Sequence, residues 1–269
     1  MQFDFGQNWK DFSIKALTDE KVRHAREDFM KLLEGIEIKN KTFLDIGFGQ
    51  GLSLLISKES GANATGNDIN PKCAEVLESN KRFFKNLPDD KIPAIVGSIL
   101  EKTTLDEIRK HSADVDGTFD IVYSWGVLHH TGNMKLAINN AASLVKNKGH
   151  FIISIYNRHW TSSIWKAVKW TYCISPAFIK KLLVGIFYPI IWTGAFITTG
   201  ENPAKSKIRG MDFYFDVVDW VGGYPYEYAT INELKKMMKE QGFDCSKVVP
   251  ANGWTGCNEF VFVKNENNN

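Results

Sequence analysis

Phe43-Leu44-Asp45-Ile46-Gly47-Phe48-Gly49-Gln50-Gly51 is the stretch around which the rest of the chain can be ordered. An apolar run of strand length carries an acid and ends in glycines at alternate positions. Leu52, Leu54, Leu55 and Ile56 then follow at helix-compatible spacing. Strand, glycine turn and helix make a nucleotide-binding corner, because a turn without Cβ atoms lets a ligand reach the backbone. A second half follows at about the spacing expected for a ribose-binding carboxylate, where Thr65-Gly66-Asn67-Asp68-Ile69 ends another short strand in an acid.

The glycine spacing separates two ligands. A dinucleotide corner uses G-x-G-x-x-G and sets a pyrophosphate on the helix N-terminus, where an upstream carboxylate is unfavourable. Here the spacing is G-x-G-x-G, with Asp45 just before it. Carboxylates at 45 and 68 complement a cationic ligand such as S-adenosylmethionine, which carries an ammonium, a sulfonium and a ribose. On Asp45, Gly47, Gly49, Gly51 and Asp68 the chain resembles the class I S-adenosylmethionine-dependent methyltransferases. The alternatives from other classes are an NAD-dependent oxidoreductase and a cofactor-binding protein without transfer activity.

At 269 residues, 43% hydrophobic and 24% charged, the chain can bury a sizeable core. A net charge of +2 gives no reason to expect nucleic acid as a partner. Cys73, Cys173, Cys245 and Cys257 form no C-x-x-C pair, so no disulfide framework or metal site is expected. With no secretory pattern at the N-terminus, the expected location is cytoplasmic.

Ahead of the corner, Thr18 is placed to cap a helix bearing Val22, Ala25, Phe29, Leu32 and Leu33. Asn70-Pro71 reads as a helix start running to about Asn86. Ile92 to Val96 reads as a third strand, leading to Ser98 and Ile99. The fourth strand, Thr118 to Ser124, runs into Trp125-Gly126-Val127-Leu128-His129-His130. Ligands of open α/β sheets sit beyond the carboxyl ends of strands, so His129 and His130 are candidates for taking a proton. After a helix over 134–145 comes a fifth strand, His150 to Tyr156. The alternation then stops for about 70 residues, too long for a bare loop. It resumes with a capping box at Thr230-Ile231-Asn232-Glu233 and two final strands, 243–249 and 258–264.

The expected fold is therefore α/β: a Rossmann-like, seven-stranded, mostly parallel sheet with helices on both faces and a helical cap inserted after the fifth strand. The closing strand pair is what the methyltransferase fold adds to a dinucleotide-type sheet. The domain division expected is 1–40 as an N-terminal helical segment over the cofactor site, 41–157 with 230–265 as the core, and 158–229 as the cap. Within the cap, Leu182 to Gly200 has no charged residue and approaches the length of a membrane span. A single crossing would strand the last β-strands on the wrong side of a bilayer, so the reading is two short helices kinked near Pro189. Peripheral membrane contact through an amphipathic surface is the alternative. Arg158, Lys166, Lys169, Lys180, Lys181, Lys205, Lys207 and Arg209 face a lone Glu201 there, which suits a phosphate-bearing substrate or an acidic membrane.

Beyond the cofactor motifs the resemblance extends to Asn8-Trp9, Ile155-Tyr156-Asn157, Arg209-Gly210-Met211, the stretch from Asp219 to Glu227, and Gly256 to Phe260. Together these look like small-molecule methyltransferases related to the quinone-methylase type, frequent in surface-saccharide and specialised-metabolite pathways. The resemblance implies cofactor contacts at Asp45, Gly47, Gly49, Gly51, Asp68, Ile69, Ser98, Ile99, Trp125 and Gly126, with Trp9 closing the pocket. Ser98 departs from the acid that many relatives carry there. Catalytic candidates are His129, His130 and Asp219. Substrate-binding candidates are Tyr156, Arg158, Arg209, Trp220, Tyr224, Tyr226 and Glu227. The chemistry implied is O-methylation of a small metabolite or saccharide precursor, including phosphate- or nucleotide-bearing ones, or of a lipid-linked or quinone-like acceptor at a membrane surface. The sequence leaves the oligomeric state open.

Overall fold

A computed structural model of the protein describes residues 3–200, 202–203, 212–251 and 256–266. Its sheet is built from β1 (Thr42–Ile46), β2 (Asn63–Asp68), β3 (Ala94–Val96), β4 (Phe119–Trp125), β5 (Val145–Tyr156), β6 (Phe243–Val249) and β7 (Cys257–Lys264), in the order β3-β2-β1-β4-β5-β7-β6. β1 to β5 pair in parallel, and β7 runs antiparallel between β5 and β6. This is the mostly parallel sheet with a closing strand pair expected from the sequence.

Helices α1 (Phe5–Lys15), α2 (Asp19–Leu32), α3 (Leu52–Glu59), α4 (Lys72–Asn80), α5 (Lys102–Lys110) and α6 (Met134–Ser143) precede β5 in the chain. In the second half are α7 (Ser162–Ile174), α8 (Ala177–Thr199), α9 (Phe213–Gly222) and α10 (Ile231–Glu240). All five residues of β1 are buried, as a strand covered on both faces requires. Its alternation sorts the core: Leu44 and Ile46 join Val122 and Ile153 in one cluster, while Phe43 joins Phe29, Ile121 and Tyr123 in another. Thr18 accepts from the Lys21 backbone at the start of α2. Thr230 and Glu233 form the full capping box of α10.

Several local expectations shift. Pro71 is the N-cap residue of α4 rather than its first helical position, and α4 ends at Asn80 instead of near 86. α5 went unread because its polar positions dominate: only Thr104, Leu105 and Ile108 are buried. α1 also went unread, since its aromatics suggested packing without a period. The uncharged stretch of the insertion is one continuous helix, α8, with Pro189 inside it, not two short helices. Proline removes the hydrogen bond to the carbonyl four residues earlier, here Gly185, and both residues are exposed, where water can substitute. Nor is α8 enclosed by the core, because only 6% of its apolar stretch is buried. One side rests on α9, where Tyr188 packs edge-on against Phe213 at 5.0 Å.

Candidate active site

The glycine corner forms because three residues after β1 adopt backbone angles that disfavour side chains. Gly47, Gly49 and Gly51 have φ of +74°, +52° and +78°. At Gly47 a Cβ would stand 2.4 Å from a Val127 methyl, and at Gly49 2.8 Å from Trp9 Nε1. The turn is held by Gly47 N–H donating to the Asn67 carbonyl at 2.6 Å. Asp68 completes it, its Oδ2 accepting from Gly49 N–H at 3.0 Å and its Oδ1 from Asn70 N–H at 2.8 Å. Asp45 lies beneath, buried, with Ser53 Oγ donating to its Oδ2 at 2.5 Å.

Burial dominates the electrostatics here. It pushes Asp45 up to about 7, against the Ser53 hydrogen bond and assisted by the charge of Asp68. Burial also raises Asp68, although backbone donors at Asn70 and Gly49 pull the other way. Two carboxylates desolvated this far lack a cation, which is the complement an ammonium-bearing ligand supplies.

The corner is one wall of a cavity of about 800 Å³. Asp45, Gly47, Gly49, Asp68, Ile69, Ser98, Ile99, Trp125, Gly126 and Trp9 all line it; Gly51 instead caps α3 one step behind. Ser98 Oγ accepts from Leu100 N–H at 3.2 Å, so part of its capacity is spent on its own loop. Trp125 Nε1 donates to Glu259 at 2.7 Å, which fixes the indole at the end of β4.

The opposite wall comes from the loop after β4, from Tyr156 and from α9. His130 lines the cavity; His129 does not. His129 is fully buried behind it, its ring 4.2 Å from Tyr156 and 4.4 Å from His130. The expectation of a base at either histidine therefore narrows to His130. Its Nδ1 lies 2.6 Å from the Pro225 carbonyl, which can only accept, so Nδ1 carries the proton and Nε2 keeps the lone pair. Burial, with the charge of Lys169, lowers His130 to about 3, so the ring stays neutral.

Asp219 and Trp220 line the same wall, and Asp216, one helical turn before Asp219, joins them. Asp219 Oδ1 accepts from Asn8 Nδ2 at 3.3 Å, a bond that ties α9 to α1. Burial raises Asp219 to about 7 and Asp216 to about 6. Behind them Lys169 is wholly buried, donates to the Trp220 carbonyl, and has Tyr226, Trp220 and Tyr156 rings within 5.4 Å of its Nζ. Desolvation brings this lysine down to about 7.

Four substrate candidates lie away from the cavity. Arg158 forms a two-point pair with Glu233, Nη2 at 3.0 Å and Nε at 3.2 Å. The Tyr224 carbonyl accepts from Phe3 N–H at 2.9 Å. Tyr226 is 2% exposed against Tyr156 and Lys169. Glu227 accepts from Met134 N–H at 2.9 Å and holds the start of α6. Their acids and aromatics read as chemistry in sequence, yet the loop uses them to fasten itself. Arg209 lies outside the described residues. Conversely, Phe3, Asp4 and Phe5 line the cavity unanticipated, Phe5 with its ring 4.8 Å from His130. The density of aromatics ahead of Trp9 was the available signal. Among the described residues no group of three or more His, Cys, Asp or Glu is arranged to hold a metal ion.

Known proteins resemble this arrangement. The model of a family described as "Methyltransferase domain" matches residues 18–248. A ubiquinone biosynthesis O-methyltransferase of Hydrogenovibrio crunogenus is 28% identical over 154 residues, 57% of this chain and 58% of that protein. Its counterpart in Cronobacter sakazakii is 25% identical over 187 residues, 70% of this chain and 62% of that one. The chain thus spans about three-fifths of the length of these curated relatives. Among solved structures, an SAM-dependent methyltransferase from Anabaena variabilis superposes with a TM-score of 0.56 at 12% identity, covering 99% of this chain and 98% of that one. Magnesium protoporphyrin IX methyltransferase from Synechocystis, solved with bound SAH, gives a TM-score of 0.52 at 14% identity, covering 91% and 84%. At these identities the superpositions establish the fold.

Proposed function

The chain belongs to the methyltransferase-domain family, and from that premise we propose that it is an S-adenosylmethionine-dependent enzyme that methylates a hydroxyl of a small acceptor. One observation carries this reading: a single cavity has the acid and glycine corner at one end and His130 with Asp219 at the other. The NAD-dependent alternative is set aside, because a buried acid below the turn opposes a pyrophosphate and the family match is to methyltransferases.

The residues fit the cofactor. Asp45 and Asp68 would hold its ammonium and ribose hydroxyls, the glycines leave it room at the backbone, and Ile69, Ser98 and Ile99 would flank its base. When bound, S-adenosylmethionine supplies an electrophilic methyl group on a sulfonium centre. The protein's remaining tasks are to position an oxygen nucleophile and to remove its proton. His130 Nε2, held neutral, is an acceptor that orients the hydroxyl. Asp219, raised toward neutrality, takes the proton as the oxygen forms its new bond.

Charge restricts the acceptor. Asp4, Asp45, Asp68, Asp216 and Asp219 line the cavity against Lys72, which is itself paired with Asp4 at 3.0 Å. The part of the acceptor that enters is therefore uncharged, a sugar or phenol-like ring on a saccharide precursor or quinone-like molecule, and any phosphate it carries stays outside. Curated relatives named for ubiquinone biosynthesis support the quinone-like form.

Calorimetric titration with S-adenosylmethionine, S-adenosylhomocysteine and NAD, on wild type and Asp68→Ala, tests the reading. The first two ligands should bind and the variant should bind them at least about tenfold more weakly, the equivalent of 1.4 kcal/mol. Binding of NAD alone would overturn it.

A further inference from the structure

Beyond the cavity, one surface differs from the rest of the molecule. More than half of the large hydrophobic side chains left exposed among the described residues lie between 160 and 197. Phe178, Leu182, Ile186 and Ile190 recur every four residues along the outer side of α8, between 48% and 70% exposed. Trp160 and Ile164, at the start of α7, are exposed as well, at 75% and 57%. A row at i, i+4, i+8 and i+12 is one stripe of a helix. An apolar row of this length, left uncovered, marks an interaction site.

We propose that this stripe is a peripheral membrane-docking face that lies in the headgroup region of an anionic bilayer. Charge selects this occupant. From Asn157 to Gly200 the chain contains no aspartate or glutamate; its charged residues are Arg158, Lys166, Lys169, Lys180 and Lys181. Lys181, next in the chain to Leu182 of the stripe, is exposed, and so is Lys166 on α7. Exposed apolar side chains on two helices whose charged residues are all lysines, with an exposed tryptophan just ahead of them, complement a surface that is greasy within and negative outside. A second copy of the same patch would set these lysines against one another.

α8 lies on the membrane rather than through it. Its 23 residues span about 35 Å, enough to cross a bilayer. Yet its inner side, with Val184, Phe187, Tyr188 and Ile191, packs in one cluster with Val217 and Val221 of α9. α9 carries Asp216 and Asp219 on its other side, facing the cavity. Pulling α8 into the hydrocarbon would drag these carboxylates after it, which the cost of burying charge forbids. Docked in the interface, α8 instead rests one helix away from the acceptor wall. The docking face thus extends the proposed function by bringing the cavity to acceptors that reside in a bilayer, and its test is independent of cofactor binding.

Flotation of the full chain with phosphatidylcholine vesicles, with and without 30–40% phosphatidylglycerol (an amount on the order of that in anionic membranes), reads the proposal. Binding should occur on the anionic vesicles, weaken with salt, and shift the tryptophan emission to the blue. Leu182→Glu/Ile186→Glu/Ile190→Glu should abolish flotation. Lys166→Gln/Lys181→Gln should reduce it about 30-fold, as two surface lysines imply. The substituted residues are exposed, so melting temperature and S-adenosylmethionine affinity should stay at wild-type values, which separates this outcome from failure of the methyltransferase reading. Absence of flotation for the wild type would overturn the proposal. So would a dimer by ultracentrifugation that the triple variant dissociates, without vesicle binding, since the stripe would then bind a second copy.

Discussion

The two walls of the cavity solve one problem in opposite ways. Each must hold buried carboxylates ready for a ligand. In the glycine corner the partners are near in sequence: Ser53 on Asp45, and Gly49 and Asn70 on Asp68. On the α9 wall Asp219 takes its hydrogen bond from Asn8, 211 positions away, and the compensating cation, Lys169, is itself buried among aromatic rings. The corner is thus a local device that a short peptide pattern specifies. The far wall exists only once distant parts of the chain have met, and its properties depend on their packing.

Breaking the corner should cost most. Gly47→Ala forces a side chain into a positive φ and onto Val127, and should lose about 3 kcal/mol or more in chemical denaturation. A change below about 0.5 kcal/mol, the range of neutral surface substitutions, would show that the corner yields. Next, cofactor affinity should depend on the protonation of Asp45. With Asp45 raised to about 7, its ionised form is scarce in acid, so affinity for S-adenosylmethionine should fall by up to about tenfold per pH unit below 7. Asp45→Asn should bind weakly at every pH; if its titration curve keeps the wild-type slope, another group is responsible.

The far wall predicts a slope rather than a loss. Asp216 and Asp219 are raised, to about 6 and about 7, so the stability they add is complete below the ordinary carboxylate range and disappears as pH rises through 7. Lys169 is lowered to about 7, so its contribution is complete only above its ordinary value and is lost as pH falls through 7. Above neutrality thermal stability should therefore climb with pH toward the ordinary lysine value, by no more than about 1.4 kcal/mol per pH unit. On the acid side the fall from Asp216 and Asp219 is opposed by His130, whose lowering to about 3 contributes stability that is lost as pH falls from 6.5. Lys169→Met should flatten the alkaline limb and, by removing the cation that holds Asp216 and Asp219 down, raise both carboxyls further; an unchanged alkaline limb in that variant would sink the assignment. The smallest effect is Asn8→Ala, about 1 kcal/mol, seen as faster hydrogen exchange in α1 while α3 keeps its protection.

This contrast also explains what could be read in advance. The sheet was legible because each of its strands announces itself within a few residues, and the cofactor corner because Asp45, the glycines and Asp68 lie on one short segment. His129 and His130 could not be told apart, since adjacent residues point to different sides and only packing decides which meets the cavity. Arg158 and Glu227 looked functional because unpaired charge is conspicuous in a sequence; their partners, Glu233 and the Met134 amide, lie 75 and 93 positions away. Phe5 lies in a run of aromatics and Asp216 at helical spacing from Asp219, yet neither pattern says which cavity the residue meets, and α1 became interpretable only through what it touches.

The bond between Asn8 and Asp219, with that between Phe3 and the Tyr224 carbonyl, has a consequence for synthesis on the ribosome. The first helix can dock early on one side, where Lys10 and Ser13 meet Glu75 and Asn80 of α4, but the α9 surface on its other side is translated about two hundred residues later. At roughly 5–20 residues per second, the side of α1 that meets α9, with Phe12 against Phe215, waits on the order of 10–40 s for its counterpart. During that interval the glycine corner can already fold around its own hydrogen bonds while the acceptor wall does not yet exist. A nascent chain of this protein should therefore acquire its nucleotide-binding half first, α1 docked on α4 within it, and close the cavity last by seating α9 against α1.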